Sequence, residues 1–366
     1  MATSSLAARL IKAAGKSHAT MLSASDLGRK DVICHSSIPI LNVMLSGELN
    51  GGITCGITQV VGDSRTFKTL ICIEAVVAYL EHDPDAICIF FDCEFGGLAA
   101  FEARLTPDQL ARVVHVPFED LEDLKFQMTK MVENVQRGEK VIFFVDSVSQ
   151  VASKKEAENA LNSNEAADLT RAREMNSFFR IITPKLNIRN IPLFVINSYY
   201  EDTTSNYAEV IIKGGKQIFL SSDALWFVTR AQEKDEATKE LTGWSFNYAM
   251  MKSRFCREKS KMSIRVTYAG GIDRTSSLLE LARESGYLDM PTSGFYQFNA
   301  KVIPGATEKK FRKKELQDTA NWEHWELLLK QEGFQQFVKR KFALSEAGHG
   351  ASNEVIDIDT GEITKG

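Results

Sequence analysis

The sequence predicts an α/β fold whose sheet is mostly parallel, covered by helices on both faces and continued by an antiparallel extension. Three observations predict it. First, five continuous apolar runs between Ile57 and Asn197 alternate with stretches of helical periodicity, the pattern of parallel strands buried on both sides. Second, three later runs, ALWFVTR, GWSFNYAMMK and SIRVTYAGG, follow one another across turns with no helix between them. Third, the first apolar run ends in glycine and a short polar loop that leads straight into a helical stretch.

The elements follow in order. Residues Ser5 to about Lys30 read as one or two helices with polar breaks. SSIPILNVML reads as an extended segment leading into glycine-rich GELNGGITCG. ITQVVG is the first buried strand, and Thr69 to Leu80 is its helix. AICIFFD is the second strand, followed by a helix over Leu98 to Leu105. ARVVHVP is the third strand and Leu121 to Arg137 an amphipathic helix. KVIFFVD and, after a further helix, IPLFVIN are the fourth and fifth strands. Two polar stretches follow these last two, SKKEAENALNSNEAAD and SYYEDTTSNYAEVIIKGG. Both leave strand C-terminal ends, where open α/β sheets bind ligands. Beyond about Leu278 the chain reads as a small helical appendage with a basic KKFRKK patch and an aromatic helix around Trp322 and Trp325. The residues after Leu344 read as a flexible, mildly acidic tail.

Composition excludes several classes. With 44% apolar and 25% charged residues the chain is globular rather than disordered or fibrous. No apolar run reaches the length of a membrane span. MATSSLAARLIKAAGK mixes Arg and Lys into an amphipathic pattern without the apolar core of a secretory signal. The six cysteines (Cys34, Cys55, Cys72, Cys88, Cys93, Cys256) are scattered, several within apolar runs, with no CxxC pair. They read as buried thiols in a reducing compartment, the cytoplasm, rather than as zinc ligands or a disulfide framework. A net charge of −4 excludes a uniformly basic surface but leaves room for a local basic groove.

The chemistry concentrates in three motifs. Gly62-Asp63-Ser64-Arg65-Thr66-Phe67-Lys68-Thr69 lies between a strand and a helix, the context of a P-loop. There, backbone amides and the helix N-terminus cradle phosphates, Lys68 reaches the β- and γ-phosphates of ATP, and the Thr69 hydroxyl binds Mg²⁺. The glycine usual before the lysine is Phe67 here, a departure from the rule. In VIFFVDS, Asp146 ends a strongly apolar strand, where a Walker B aspartate holds the metal. In FFDCEFG, Asp92 and Glu94 follow the second strand and share a side by alternation. A carboxylate there can orient water for attack on a γ-phosphate.

A P-loop, a carboxylate after the next strand, a Walker B strand and two long loops, in this order, resemble the RecA family from about Ile38 to about Phe298. FKT in place of GKT, CEFG, KVIFFVDS, ASKKEAENAL, RNIPLFVIN and KSRFCREKSKM look like the UvsX recombinases of tailed phages, a branch that tolerates Phe before the lysine.

The resemblance implies roles. Glu94 matches the glutamate that activates water. Phe101 falls where the family sets an aromatic ring against adenine, or is a core residue of an amphipathic helix. Ser198 stands where the bacterial enzymes carry a glutamine that senses the γ-phosphate. Lys252 and Arg254 match two cations that reach a neighbouring subunit's ATP, and alternation would put both on one face of a strand. The loops at about Ser153 to Asp168 and Tyr199 to Gly215 resemble the DNA-binding loops. Arg173 and Arg180, two helical turns apart, match phosphate-binding positions, and Gly214 and Gly215 would let the backbone approach DNA closely.

The resemblance thus implies a RecA-like core at 36–277, an N-terminal self-assembly segment at 1–35, a small C-terminal domain at 278–344 and a tail at 345–366. It implies a DNA-dependent ATPase that forms a helical filament on single-stranded DNA, pairs it with homologous duplex and exchanges strands. Recombination, repair and replication would be its settings, with a mediator and a single-strand-binding protein as further partners and no membrane. If phage-encoded, it would work in the host cytoplasm. Lys309 to Phe342 would collect duplex DNA, dock a loader or simply form a helical cap. Two other classes share the Walker motifs: a hexameric helicase or motor, and a non-hydrolysing paralogue.

Overall fold

The structure, a computed structural model, describes residues 2–15, 18–27, 30–162, 170–202, 209–235, 238–344, 354–356 and 363–365. The elements run α1 (Ala2–Ala14), α2 (Pro39–Ser46), β1 (Gly56–Gly62), α3 (Lys68–His82), β2 (Ile87–Asp92), α4 (Gly97–Arg104) and α5 (Pro107–Leu110). Then come β3 (Val113–Pro117), α6 (Leu121–Glu133), β4 (Val141–Asp146), α7 (Lys154–Leu161), α8 (Thr170–Arg189) and β5 (Pro192–Asn197). A hairpin of β6 (Tyr199–Asp202) and β7 (Glu209–Ile212) follows, then α9 (Lys216–Ser221), β8 (Ala224–Lys234), β9 (Leu241–Ser253), β10 (Lys261–Thr267) and β11 (Gly271–Ile272). The C-terminal part comprises α10 (Leu278–Glu284), β12 (Leu288–Thr292), β13 (Phe295–Phe298), β14 (Phe311–Arg312), α11 (Lys313–Leu316), α12 (Trp322–Leu329) and α13 (Glu332–Phe342).

One nine-stranded sheet in the order β11-β10-β9-β8-β1-β5-β4-β2-β3 organises the core. The pairs from β8 to β3 are parallel. From β8 outward through β9, β10 and β11 they are antiparallel, as the helix-free spacing predicts. The strands are apolar on both sides because each side meets its own layer. In β4, Ile142 and Phe144 join the core beneath α3, while Phe143 and Val145 join the core beneath α6 and α8. A bidentate ion pair from Arg104 to the buried Glu74, at 2.5 and 2.8 Å, ties α4 to α3.

One element departs from the sequence reading. SSIPILNVML is not extended: Pro39 to Ser46 forms α2. Proline at its first turn lacks the amide that no helix start uses, and left-handed Gly47 (φ 81°) closes it. Asn42 returns to Ser36, accepting its amide at 2.7 Å and donating to its carbonyl at 2.9 Å. A continuous apolar run cannot be told as strand or helix from periodicity alone; here burial on all sides allows the helix.

The C-terminal helices are present, and a three-stranded sheet, β12-β13-β14, accompanies them. Trp325 is fully buried there and donates its indole N–H to the Leu316 carbonyl at 2.8 Å. Of the tail, residues 354–356 and 363–365 form an antiparallel pair, and the rest lies outside the described residues. Parts of both polar stretches, 163–169 and 203–208, also lie outside them. Within the described residues no helix is long and apolar enough to cross a membrane.

Candidate functional site

At the C-terminal ends of β1, β4 and β5 lies a cavity of about 510 Å³. It is lined by the whole loop from Gly62 to Thr69, by Glu94 and Asp146, and by Ser198, Tyr199 and Lys213 at the root of the β6–β7 hairpin. Topology makes this convergence. The chain crosses from β1 to the far side of the sheet and returns, so β1 is flanked by β5 and β8 rather than by β2. A larger cleft, about 780 Å³, lies between β9, β10 and the C-terminal helices; Lys313 of the basic patch and Lys341 and Phe342 line it, but none of the phosphate-site residues does.

The loop is shaped by backbone the sequence made hard to form. Arg65 (φ 61°) and Phe67 (φ 64°) are both left-handed. A non-glycine residue there costs about 1–2 kcal/mol, which explains why glycine is usual before the lysine. Phe67 offsets that cost by stacking on Phe246 of β9, with ring centroids 4.8 Å apart and planes 19° from parallel. Such a pair contributes roughly 0.5–1.5 kcal/mol beyond burial. A second brace comes from β8: Arg230 donates to the Arg65 carbonyl at 3.2 Å while its guanidinium lies 4.3 Å over Trp244. Gly62 is required, because a Cβ there would meet the Val228 carbonyl oxygen at 2.6 Å.

Inside the loop, Lys68 Nζ donates to the carbonyls of Gly62 at 2.9 Å and Asp63 at 2.5 Å. Burial pushes its pKa down, against the opposing pull of Asp146, Glu94 and Asp63. Thr69 Oγ1 donates to Asp146 Oδ2 at 2.7 Å. Burial pushes the Asp146 carboxyl up to about 7, with Glu94 and Asp92 adding like-charge repulsion and the Thr69 hydrogen bond opposing them. A hydroxyl and a carboxylate side by side in an acidic, buried corner are the hard oxygen donors that Mg²⁺ takes. Among the described residues no cluster of three or more His, Cys, Asp or Glu could hold a metal by itself. An ion here would therefore draw its remaining ligands from phosphate and water.

Glu94 stands at the rim and accepts a hydrogen bond from Ser147 Oγ at 2.5 Å. Asp92 does not share its position. It is buried at the end of β2, accepts the amides of Glu94 and Phe95 at 3.0 and 2.8 Å, and pairs with His115 at 3.3 Å. The two residues divide the work: Asp92 holds the turn that presents Glu94. Ser147, Tyr199, Lys213, Arg230 and Phe246 were not singled out in the sequence. Of these, Ser147 adjoins Asp146, and Tyr199 and Lys213 lie within the second loop noted in the sequence; Arg230 and Phe246 carried no local signal.

Other expected positions fall elsewhere. Phe101 is enclosed, 2% exposed, with its ring edge-on to Phe90 at 4.9 Å and to Phe144 at 6.2 Å. It offers no face to a base, so its adenine-facing role is corrected to core packing. It belongs to the same hydrophobic core as Phe90 and Phe144. Lys252 and Arg254 lie near the start of β8, paired beside Thr58, at the other end of β1 from the phosphate loop. β9 ends at Ser253, and its register irregularity falls between Met250 and Lys252; from Lys252 the pairing runs on through Ser253, and the Arg254 amide donates to the Asp223 carbonyl at 2.9 Å. Lys252 Nζ donates to the Phe219 and Leu220 carbonyls at 2.6 and 2.8 Å, and burial and Arg254 lower its pKa. Arg254 pairs with Asp223 at 2.8 Å, and Asp223 also pairs with Lys30 at 3.3 Å.

Arg173 and Arg180 are both exposed on α8, while Met175, Phe178, Phe179 and Ile182 of the same helix are buried. Gly214 (φ 103°) and Gly215 (φ 74°) turn the chain into α9, and a Cβ on Gly214 would press on Ile218 and Met175 at under 3 Å. Both glycines thus have a structural reason of their own.

A family profile described as "Bacteriophage T4, Recombination and repair protein, C-terminal domain" matches residues 276–338. The chain is also similar to the "Recombination and repair protein" of Enterobacteria phage T4. The two are 36% identical over 366 residues, which cover 98% of this chain and 90% of that protein. Similarity of this extent reaches far beyond the nucleotide motifs, through the antiparallel extension and the C-terminal part, and by it the chain belongs to the UvsX recombinase family.

Proposed function

We propose that this chain is an ATP-dependent recombinase that assembles head-to-tail on single-stranded DNA and exchanges strands with homologous duplex. One observation carries the reading. Lys68, Thr69, Asp146 and Glu94 line a single cavity that also takes in the root of the β6–β7 hairpin, so a nucleotide site and a candidate DNA loop share walls.

In the proposed reaction, Lys68 leaves the loop carbonyls for the β- and γ-phosphates of ATP. Thr69 and Asp146 would hold Mg²⁺, which supplies charge neutralisation on the phosphates. Glu94 takes a proton from water as its oxygen bonds to the γ-phosphorus and the bond to the ADP oxygen breaks, giving ADP and phosphate. Lys252 and Arg254 stabilise that charge from a neighbouring copy. Their distance along the sheet from their own phosphate loop supports action in trans rather than in cis. Arg254 is 57% exposed despite its ion pair, which leaves it free to exchange partners.

Self-assembly is assigned to residues 1–35, where Leu6 and Leu10 of α1 are exposed apolar residues. A heterologous contact that does not close generates a helical filament. The ATPase core is assigned to 36–277, the small C-terminal domain to 278–344 and the tail to 345–366. Arg173, Arg180 and the Gly214–Gly215 turn are assigned to the DNA backbone, and specificity is left to base pairing. A mediator and a single-strand-binding protein would be further partners, and a host cytoplasm the setting.

Electron microscopy of the protein with single-stranded DNA and a non-hydrolysable ATP analogue tests the reading. Open helical filaments are expected. Closed rings would favour a hexameric motor, and absence of DNA-stimulated ATP hydrolysis would favour a non-hydrolysing paralogue.

A further inference from the structure

We infer that Tyr199 is the positioning residue through which the β6–β7 hairpin acts on the phosphate loop, by way of the Asp63 carboxylate. The inference rests on the reading of that hairpin as a DNA loop and of Gly62 to Thr69 as a nucleotide loop.

The hairpin is firmly rooted. Tyr199 pairs with Ile212 at its base. The Lys213 amide donates to the Ser198 carbonyl at 3.1 Å, and Asn197 Nδ2 donates to the Lys213 carbonyl at 2.9 Å. A displacement of the hairpin arms is therefore carried to the Tyr199 ring rather than absorbed at a loose joint. That ring lies edge-on to Phe227 of β8, with centroids 4.9 Å apart, and its hydroxyl donates to Asp63 Oδ2 at 3.0 Å.

Asp63 is where the two loops meet. Its side chain takes the tyrosine, and its main-chain carbonyl accepts Lys68 Nζ at 2.5 Å and Thr66 Oγ1 at 2.6 Å. A carboxylate in a loop that receives phosphate is repulsive unless a donor holds it aside. Tyr199 is that donor. Burial and the Asp63 charge both raise its pKa, so it keeps the proton it donates. Ser198 cannot take this part. Its hydroxyl is buried and meets no hydrogen-bond partner among the described residues. The longer residue next to it reaches the loop instead.

A link of this kind has a reciprocal signature. The factor by which nucleotide tightens DNA must equal the factor by which DNA tightens nucleotide. In the full-length protein, dissociation constants of a labelled oligothymidylate are measured with and without a non-hydrolysable ATP analogue, and those of a fluorescent analogue with and without the oligonucleotide. In Tyr199→Phe, which keeps the ring on Phe227, the coupling factor is expected to fall about tenfold, or to one, equally in both directions. Asp63→Asn is expected to lower it as well, and the double variant to lose no more than the greater single loss, because one contact is broken in each. A purely structural role would weaken both ligands and leave the factor unchanged. An unchanged factor in Tyr199→Phe, or losses that add in the double variant, overturns the link while leaving the recombinase reading intact. So does a wild-type protein that binds both ligands without coupling. A wild-type protein that binds neither ligand overturns both.

Discussion

The two ends of β1 hold cations in opposite conditions. At the C-terminal end, Lys68 rests on neutral loop carbonyls and faces Asp146 and Glu94 across an open cavity. At the N-terminal end, Arg254 is already neutralised by Asp223, and Lys252 already caps the last carbonyls before Ser221. The first arrangement is a preformed site that needs a polyanion. The second is complete within the subunit, and it can serve a phosphate only by exchanging partners. On the proposed reading, catalytic strength is built in locally at one end while the other end depends on assembly.

The comparison can be broken most sharply at Lys68. Lys68→Ala should reduce ATP turnover by about 100-fold or more, the loss typical of one preorganised charge-stabilising donor. Circular dichroism and melting temperature should stay near wild type, since the Lys68 side chain hydrogen-bonds only within the loop. Full ATPase activity in this variant would remove the preformed site from the comparison.

Arg254→Ala tests the dependent end. DNA-stimulated hydrolysis should fall by roughly 10- to 100-fold, less than the full effect of an arginine finger because Lys252 remains. Subunits should still bind nucleotide. Mixing Arg254→Ala with Lys68→Ala should restore activity that neither shows alone, because some interfaces then pair an intact loop with an intact cation. Mixed filaments with no regained activity would place the pair's role inside its own subunit.

A smaller effect is expected at the proposed DNA face. Arg173→Ala should weaken single-stranded DNA by a similar factor for every sequence and lower the salt slope by about one unit. Titrations at several salt concentrations measure it, and a sequence-selective loss would count against phosphate contact.

The smallest effect sharpens the account of the loop itself. Phe67→Ala keeps the left-handed backbone but loses the stack on Phe246, and should destabilise by about 1–3 kcal/mol. Phe67→Gly loses the stack and the strain together and should lie within about 1 kcal/mol of wild type. Denaturant unfolding distinguishes them, and equal losses would mean that the φ of 64° carries no strain.

Much of this was legible in the chain. The five parallel strands, the antiparallel extension and the residues Lys68, Thr69, Glu94 and Asp146 are set by patterns a few residues long. Apolar runs buried on two faces, a loop between strand and helix, and a carboxylate at a strand end each need only neighbours in sequence. What only the tertiary structure decided depends on which strands become neighbours. Phe67 finds Phe246, Tyr199 finds Asp63 and Arg254 finds Asp223 because β1 sits between β5 and β8, an order set by crossovers. Phe101 turned out to be core for the same kind of reason: its ring is enclosed by Phe90 of β2 and Phe144 of β4, strands that become neighbours only in the folded sheet. Local sequence sets the type of each element through backbone preference and side-chain period. The partner of a side chain at an element's end is a contact across scores of residues, and it exists only once the sheet has closed.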